Sequence, residues 1–439
     1  MTKSAPIVAI VGQANVGKSS LYNAILGRRE AVIAREAGTT RDSISSKVSW
    51  NGKDFWLVDS AGYKEAEDEF EQTIQSQISQ AADAASLIWV VVDAGGILSG
   101  ADRQVAKMAL KTKKPVILVV NKSEGKRQPS DDWVKLGIKD ILPTSATQKL
   151  GLAELLDATA ERLPKAHINE GRGRIRLSIV GRPNVGKSTL FNALAKKQQS
   201  IVSERAGTTR DVNRIAIRYH GREIELSDTA GIRRSGRIEA GAERFSVIRA
   251  LRAIEEADIC VLAMDTSEPG VALDQKIAGL VKDAGKGLIV AVNKYDLAKS
   301  AGQSRESMLS QITRDFAFTP WAPVVFVSAV AGLNVTKLYE LAAEIADNRK
   351  LAIKTSELNN WLKAAQAQHP PAGLKNYQPK LNYAVQETDQ NQPSFKVFGA
   401  HTKFLHWSYK RYLERSFREK WPYSGSPIKF WFIDKEAKR

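Results

Sequence analysis

The sequence predicts two α/β domains in tandem, each a mostly parallel sheet with helices on both faces, followed by a smaller basic α+β domain. Three observations predict this: an internal repeat, apolar runs that alternate with helical patterns inside each repeat, and a shift of composition near residue 350. IVAIVGQANVGKSSLYNAI, starting at Ile7, matches LSIVGRPNVGKSTLFNAL, starting at Leu177; AREAGTTRD matches SERAGTTRD, and WLVDSAG matches ELSDTAG. The offset is 169 residues at Gly12/Gly181, Thr40/Thr209 and Asp59/Asp228; it grows to 172 at Asn121/Asn293 and 183 at Ser145/Ser328. A period this long means duplicated domains rather than a solenoid.

In the first repeat the apolar runs are 7–11, 55–58, 87–92 and 116–120, separated by helical patterns such as 18–26 and 101–110. That alternation argues for a doubly wound sheet. Trp50-Asn51-Gly52-Lys53 and Tyr219-His220-Gly221-Arg222 read as tight turns between antiparallel strands, so each sheet gains one antiparallel edge. The second repeat carries extra residues, including the polar stretch 299–314. A polar, Gly-containing segment at 164–174 reads as a linker. The expected division is residues 1–165 and 175–349 for the two repeats, 166–174 between them, and 350–439 for the tail.

The chain has 439 residues, room for about two to four domains. Hydrophobic residues make up 43%, enough for packed cores, so disorder throughout is excluded. The single cysteine, Cys260, excludes a disulfide framework and a cysteine-based zinc site, and it points to a reducing, cytoplasmic setting. The longest uncharged apolar run, 84–92, ends at Asp93, so no membrane span is expected. The apolar N-terminal stretch breaks at Gly12 and reads as a strand, not a signal peptide. The net charge of +17 favours a polyanionic partner. The surplus is +1 in residues 1–163, +7 in 164–349 and +9 in 350–439.

Gly12-Gln-Ala-Asn15-Val16-Gly17-Lys18-Ser19 and Gly181-Arg-Pro-Asn184-Val185-Gly186-Lys187-Ser188 are phosphate-loop patterns, each placed between a strand and a helix. Their backbone amides and the helix N-terminus suit phosphate oxygens. Lys18 and Lys187 would reach the β and γ phosphates, and Ser19 and Ser188 would hold Mg²⁺; Ser20 and Thr189 complete the nucleotide-contacting loop. Asp59-Ser-Ala-Gly62 and Asp228-Thr-Ala-Gly231 end apolar strands, placing an aspartate near Mg²⁺ and a glycine amide near the γ-phosphate. Asn293-Lys294-Tyr-Asp296 ends the run 288–292, and its aspartate can accept two hydrogen bonds from the guanine edge, which adenine cannot donate. The first repeat has Asn121-Lys122-Ser-Glu124 instead. The extra methylene displaces the carboxylate by about a bond length and predicts weaker or less selective guanine binding there. The backbone at Ser145-Ala146 and Ser328-Ala329 is placed to contact the base. The loops 37–42 and 206–211 are where a nucleotide switch would order.

These motifs, in this order, resemble the TrmE-Era-EngA-like GTPases, and two such units with a basic tail resemble the Der/EngA ribosome-assembly family over essentially the whole chain. The resemblance implies tandem P-loop GTPase domains and a C-terminal KH-like domain. It implies hydrolysis of GTP to GDP, and association with the large ribosomal subunit and its rRNA. It makes Thr40 and Thr209 the switch threonines that join Mg²⁺, and pairs Asn15 and Asn184 with a bound K⁺. Tyr63 and Ile232 follow the two Asp-x-x-Gly motifs where many small GTPases carry glutamine, so intrinsic hydrolysis should be slow. A monomer is expected. The competing readings are a nucleotide-stabilised rRNA or ribosome scaffold with little turnover, and a P-loop ATPase; Asp296 argues against the second.

The tail reads as helix–strand–strand–helix–strand. Ser356 would cap a helix to Gln368, stopped by Pro370-Pro371; alternating residues near 381–385 and 395–397 give two strands, with 388–393 as the turn. Thr402 would cap a second helix whose Leu405, Tyr409, Leu413 and Phe417 share one face and read as core, with Lys403, Lys410, Arg411, Arg415 and Arg418 elsewhere on it. The last strand is 428–433. Gly373, Gly399 and Gly425 stand alone, so the GXXG clamp of RNA-binding KH domains is missing. The five histidines form no metal-ligand pattern.

Overall fold

The computed structural model describes the chain except residues 1, 4, 28–31, 34–44, 60–84, 125–130, 164–167, 170–173, 197–213, 229–249, 375–376, 388–391 and 435–439. Two compact units emerge, one containing Lys3–Ile168, the other Asn169–Ser235 with Ala253–Arg439.

In the first unit the sheet strands are β1 (Ile7–Gly12), β2 (Val32–Ile33), β3 (Ser45–Trp50), β4 (Lys53–Asp59), β5 (Leu87–Asp93), β6 (Val116–Asn121) and β7 (Asp140–Pro143). Their spatial order is β2-β3-β4-β1-β5-β6-β7. β1 runs parallel to both β4 and β5, and β3 pairs antiparallel with β4. The expected antiparallel edge is present, but the outermost strand is the two-residue β2. So short a segment leaves no periodicity to read. Asn51 and Gly52, with φ of 48° and 75°, make the turn that the Asn-Gly pair demands. Helices α1 (Lys18–Leu26), α2 (Gly100–Lys111) and α3 (Leu152–Arg162) flank the sheet. Leu21, Ile25, Leu152, Leu155 and Leu156 pack on strand residues Val8, Ile10, Trp89 and Ile117. Every residue of β6 is buried, as a central parallel strand covered on both faces requires.

The second unit repeats this plan with β8 (Arg174–Val180), β9 (Arg214–Tyr219), β10 (Arg222–Asp228), β11 (Ile259–Asp265), β12 (Gly287–Asn293) and β13 (Val324–Phe326), in the order β9-β10-β8-β11-β12-β13. Its helices are α4 (Lys187–Lys196), α5 (Ala272–Asp283), α6 (Tyr295–Ser300), α7 (Arg305–Asp315) and α8 (Lys337–Asn348). The polar insertion is thus largely helical: α7 buries Met308 and Ile312 and exposes most of the rest.

The tail follows the expected order: α9 (Thr355–Gln368), β14 (Lys380–Glu387), β15 (Ser394–Ala400), α10 (Trp407–Lys420) and β16 (Lys429–Asp434). β14 and β15 are antiparallel, while β15 and β16 are parallel. Leu405, Tyr409, Leu413 and Phe417 are buried in its core. Both expected caps are corrected. α9 begins at Thr355, one residue before Ser356, with no side-chain cap. Thr402 opens a short 3₁₀ turn, and α10 is capped by His406, whose ring nitrogen accepts from the Ser408 amide. Arg418 is also not a surface cation: its guanidinium donates to Glu414 and to the carbonyls of Pro422 and Ser426. Arg349 fastens this domain to the second sheet, donating to Gly285 O and Ser426 Oγ, while the Leu288 amide donates to Gly425 O. Part of the expected turn at 388–393, residues 388–391, lies outside the described residues.

Candidate nucleotide-binding sites

In an open parallel sheet, ligands sit beyond the carboxyl ends of the strands, where strand order reverses. The phosphate loop after β1, Asp59 closing β4, Asn121 closing β6 and Ser145-Ala146 after β7 all lie at that edge. The second unit places Gly181, Asp228, Asn293 and Ser328-Ala329 in the same way.

Each loop turns through an asparagine in the left-handed region: Asn15 has φ 63° and Asn184 φ 66°. Asparagine tolerates that conformation because its short polar side chain bonds locally. Gly17 and Gly186 also have positive φ, and any Cβ there would strike the side-chain amide of Asn121 or Asn293.

That close approach identifies the central brace of each site. Asn121 Nδ2 donates to Val16 O at 3.0 Å, and its Oδ1 accepts from the Ala146 amide at 3.1 Å. Asn293 does the same, to Val185 O at 2.9 Å and from Ala329 N at 3.0 Å. One buried amide therefore ties the phosphate loop to the Ser-Ala loop, twice in one chain. Lys122 extends the brace, donating to Asn15 O at 2.8 Å and to Asp93 Oδ2 at 2.7 Å; Lys294 pairs with Asp265 Oδ2 at 2.6 Å. Burial opposes ionisation of Asp93, but Lys122 and the Gly95 amide outweigh it and hold the carboxyl below its usual range. Asp265 behaves alike beside Lys294 and Ser267. Asp93 and Asp265 have no place in the motifs read from the sequence, although both end apolar strands at the same 172-residue offset as Asn121 and Asn293.

Lys18 is 4% exposed and curls back over its loop, donating to Gly12 O at 2.9 Å and to Gln13 O. Burial pushes its ammonium down to about 8, the charge of Asp59 partly opposing the fall. Lys187 donates to Arg182 O at 2.7 Å. Ser19 Oγ donates to Asp59 Oδ2 at 2.6 Å. A hydroxyl beside a carboxylate is an oxygen-only donor set that suits a hard divalent cation such as Mg²⁺. Ser188 opens α4 correspondingly, and Asp228 ends β10. Thr40, Gly62, Thr209 and Gly231, together with Tyr63, Ile232 and the loops 37–42 and 206–211, lie outside the described residues. Ser20 and Thr189 lie in the first turns of α1 and α4.

The two acidic positions differ in surroundings. Glu124 Oε1 accepts from Ser145 Oγ at 2.9 Å. Asp296, in the first turn of α6, has no side-chain partner among the described residues, although Ser145 Oγ and Ser328 Oγ alike accept an amide three residues on, from Gln148 and Ala331. The longer side chain in the first site therefore reaches a serine of the Ser-Ala loop, which uses acceptor capacity a base would need. Glu124→Asp, in a chain whose second site is disabled by Lys187→Ala, is expected to raise GTP-over-ATP discrimination about tenfold, the worth of one hydrogen bond of roughly 1.4 kcal/mol. Competition binding with the two triphosphates reads it, and an unchanged ratio disproves the tether.

The second loop position also differs. Gln13 Nε2 donates to Ser99 Oγ at 2.6 Å, and Ser99 caps α2 in a reciprocal box with Asp102. In the repeat the cap is Val271, and Arg182 replaces the glutamine. Arg182 faces Asp274, fully buried, at 3.7 Å, beyond hydrogen-bond distance. Burial pushes this carboxyl up to about 6, with Arg182, Lys187 and the Val271 amide opposing. The native state then holds the proton more tightly than the unfolded chain, so stability falls as pH rises from about 4 to about 6 and levels off above. Thermal midpoints across that window should fall in the parent relative to Asp274→Asn; parallel curves would refute the assignment.

Residues 7–122 and 176–294 each match the family described as 50S ribosome-binding GTPase. Residues 352–432 match the KH-domain-like family of EngA bacterial GTPase enzymes, C-terminal. The chain is similar to the GTPase Der of Thermomicrobium roseum, 42% identical over 446 residues, covering 98% of this chain and 96% of that one. It is 41% identical to the GTPase Der of Chloroflexus aggregans over 444 residues, 99% of each chain.

Proposed function

The chain belongs to the GTPase Der family, and on that premise we propose how its two sites work. It binds and hydrolyses GTP, associates with the ribosome and serves ribosome biogenesis. Our reading assigns residues 1–165 and 175–349 to the GTPase domains, 166–174 to the linker and 350–439 to the KH-like domain.

In each site the loop amides around Val16 or Val185 wrap the triphosphate, and Lys18 or Lys187 exchanges its carbonyl partners for β and γ oxygens. The brace of Asn121 or Asn293 fixes that loop against the base-binding loop, where Glu124 or Asp296 meets the guanine edge beside Ser145-Ala146 or Ser328-Ala329. This twice-built brace is the observation that carries the proposal, because it couples the phosphate end of a ligand to its base end. Ser19 and Asp59, with Thr40, would hold Mg²⁺ in the first site; Ser188, Asp228 and Thr209 would do so in the second. When bound, the ion neutralises charge on the phosphates. The Gly62 and Gly231 amides sense the γ-phosphate. Water attacks the γ-phosphorus in line, and the chain contributes mainly position and charge. With Tyr63 and Ile232 in place of glutamine, Asn15 and Asn184 would each hold a K⁺, which would supply further positive charge beside the phosphates.

The nucleotide state sets affinity for the large ribosomal subunit precursor and its rRNA, with the protein acting as a cytoplasmic monomer. Among the described residues no helix is long and apolar enough to cross a membrane. Co-sedimentation with large-subunit particles in GTP-analogue and GDP forms tests the switch; equal binding in both forms would end it.

A further inference from the structure

The two α/β domains are copies of one fold, so each serves as a control for what the other needs in order to fold. Helix α2 of the first and α5 of the second correspond at the 172-residue offset that relates Asp102 to Asp274 and Asn121 to Asn293. Their buried faces agree: Val105, Ala106 and Ala109 on α2 answer to Ile277, Ala278 and Val281 on α5. Their outer faces do not. α2 carries Arg103, Lys107 and Lys111, all exposed, where α5 carries Gln275, Gly279 and Asp283.

Residues four apart on a helix lie on one face, about 6 Å apart along the axis. The three cations therefore form a straight row. Like charges at that spacing oppose helix formation, and none of the three has an acidic partner among the described residues. The helix dipole favours Lys111 at the C-terminal end but not Arg103 in the first turns. The duplicate domain folds without any of them. Packing, pairing and dipole thus leave the row unexplained as a structural feature.

The row also borders a concavity. Arg103, Lys107 and Lys111 line an open surface depression of about 510 Å³ together with Leu110, Lys135 and Leu136. Lys135 is paired with exposed Asp132 at 2.6 Å. Because residues 1–163 carry a net charge of only +1, this concentration is local and is not a reflection of a basic domain.

We propose that this depression is a contact surface for the sugar-phosphate backbone of RNA. A row of exposed cations beside the apolar side chains of Leu110 and Leu136 matches a strand that presents phosphates at regular intervals and sugar faces between them, and it reads charge without reading sequence. The inference rests on the ribosome-associated reading above and adds a second RNA-binding surface, on the first GTPase domain and away from the basic tail.

The test compares the full-length protein with the triple variant Arg103→Gln/Lys107→Gln/Lys111→Gln and with Lys107→Gln alone. The probe is a transcript of large-subunit rRNA, titrated across a salt series. Removing one cation–phosphate pair lowers the salt slope by about 0.7–0.9, so the triple variant should bind with a slope smaller by about 2–3 and about a hundredfold more weakly at roughly 0.1 M salt; for the single variant the slope should fall by about 0.7–0.9. GTP turnover should stay unchanged, because none of these residues touches the nucleotide sites, and the thermal midpoint should hold or rise, because the row itself opposes helix formation. Equal slopes and affinities for variant and parent overturn the proposal, as does failure of the parent to bind the transcript. Loss of particle binding with unchanged RNA binding also overturns it and points to an acidic protein instead. Failure of the parent to bind large-subunit particles in every nucleotide state, with the transcript still bound, sinks the ribosomal reading and leaves this one standing.

Discussion

Lys187→Ala is expected to cut GTP turnover by the second site about 10²–10³-fold, the loss that follows removal of one donor aimed at developing charge. The Lys187 ammonium lies over its loop, bonded to Arg182 O at 2.7 Å, where phosphate oxygens would replace the carbonyl. Alanine removes a charge as well as a hydrogen bond, in a reaction where charge neutralisation is most of the catalysis. Lys18→Ala should disable the first site by the same route, and the double variant should fall to background. Running all four proteins in K⁺ and in Na⁺ adds the cation test: the parent rate should drop in Na⁺, while the double variant should not respond. Full turnover in Lys187→Ala under saturating GTP would remove this lysine from the phosphate site.

Asp296→Asn should weaken GTP binding at the second site by about 10²–10⁴-fold, because two hydrogen bonds to a charged acceptor, each worth roughly 1.5–3 kcal/mol, are lost or inverted. The Asp296 carboxylate has no side-chain partner among the described residues, so its acceptor capacity is open to a base. Asparagine offers one acceptor and one amide donor. It should therefore favour xanthine, which carries a carbonyl where guanine carries its exocyclic amine. Competition of GTP, ATP and xanthosine triphosphate in a Lys18→Ala background checks both halves. Unaltered preference for GTP would mean that another group reads the base.

Much of this architecture is legible in the chain. The β1 and β6 runs, α1 and the turn at Asn51-Gly52 lie almost at their expected limits, because hydrophobic period and left-handed turn residues are local signals. The departures have physical causes. The caps expected at Ser356 and Thr402 are both replaced: α9 follows Lys354 with no side-chain cap, and Thr402 is taken into a 3₁₀ turn, which leaves His406 to cap α10. Arg418 reads as a surface cation by its spacing, but the loop at 422–426 folds over it and consumes its donors. No periodicity reports that.

The sequence by itself determined the duplication, the two phosphate loops and the acid expected to read guanine in the second, because each depends on residue type at fixed spacing along one segment. Tertiary structure alone decided that Asn121 and Asn293 join two loops, that Glu124 is held by Ser145 while Asp296 is not, and that Asp274 faces Arg182 beyond hydrogen-bond distance. Those are relations between segments distant in the chain, set by how the sheet brings strand ends together, and a hydrogen bond of about 3 Å is a property of that meeting rather than of either segment.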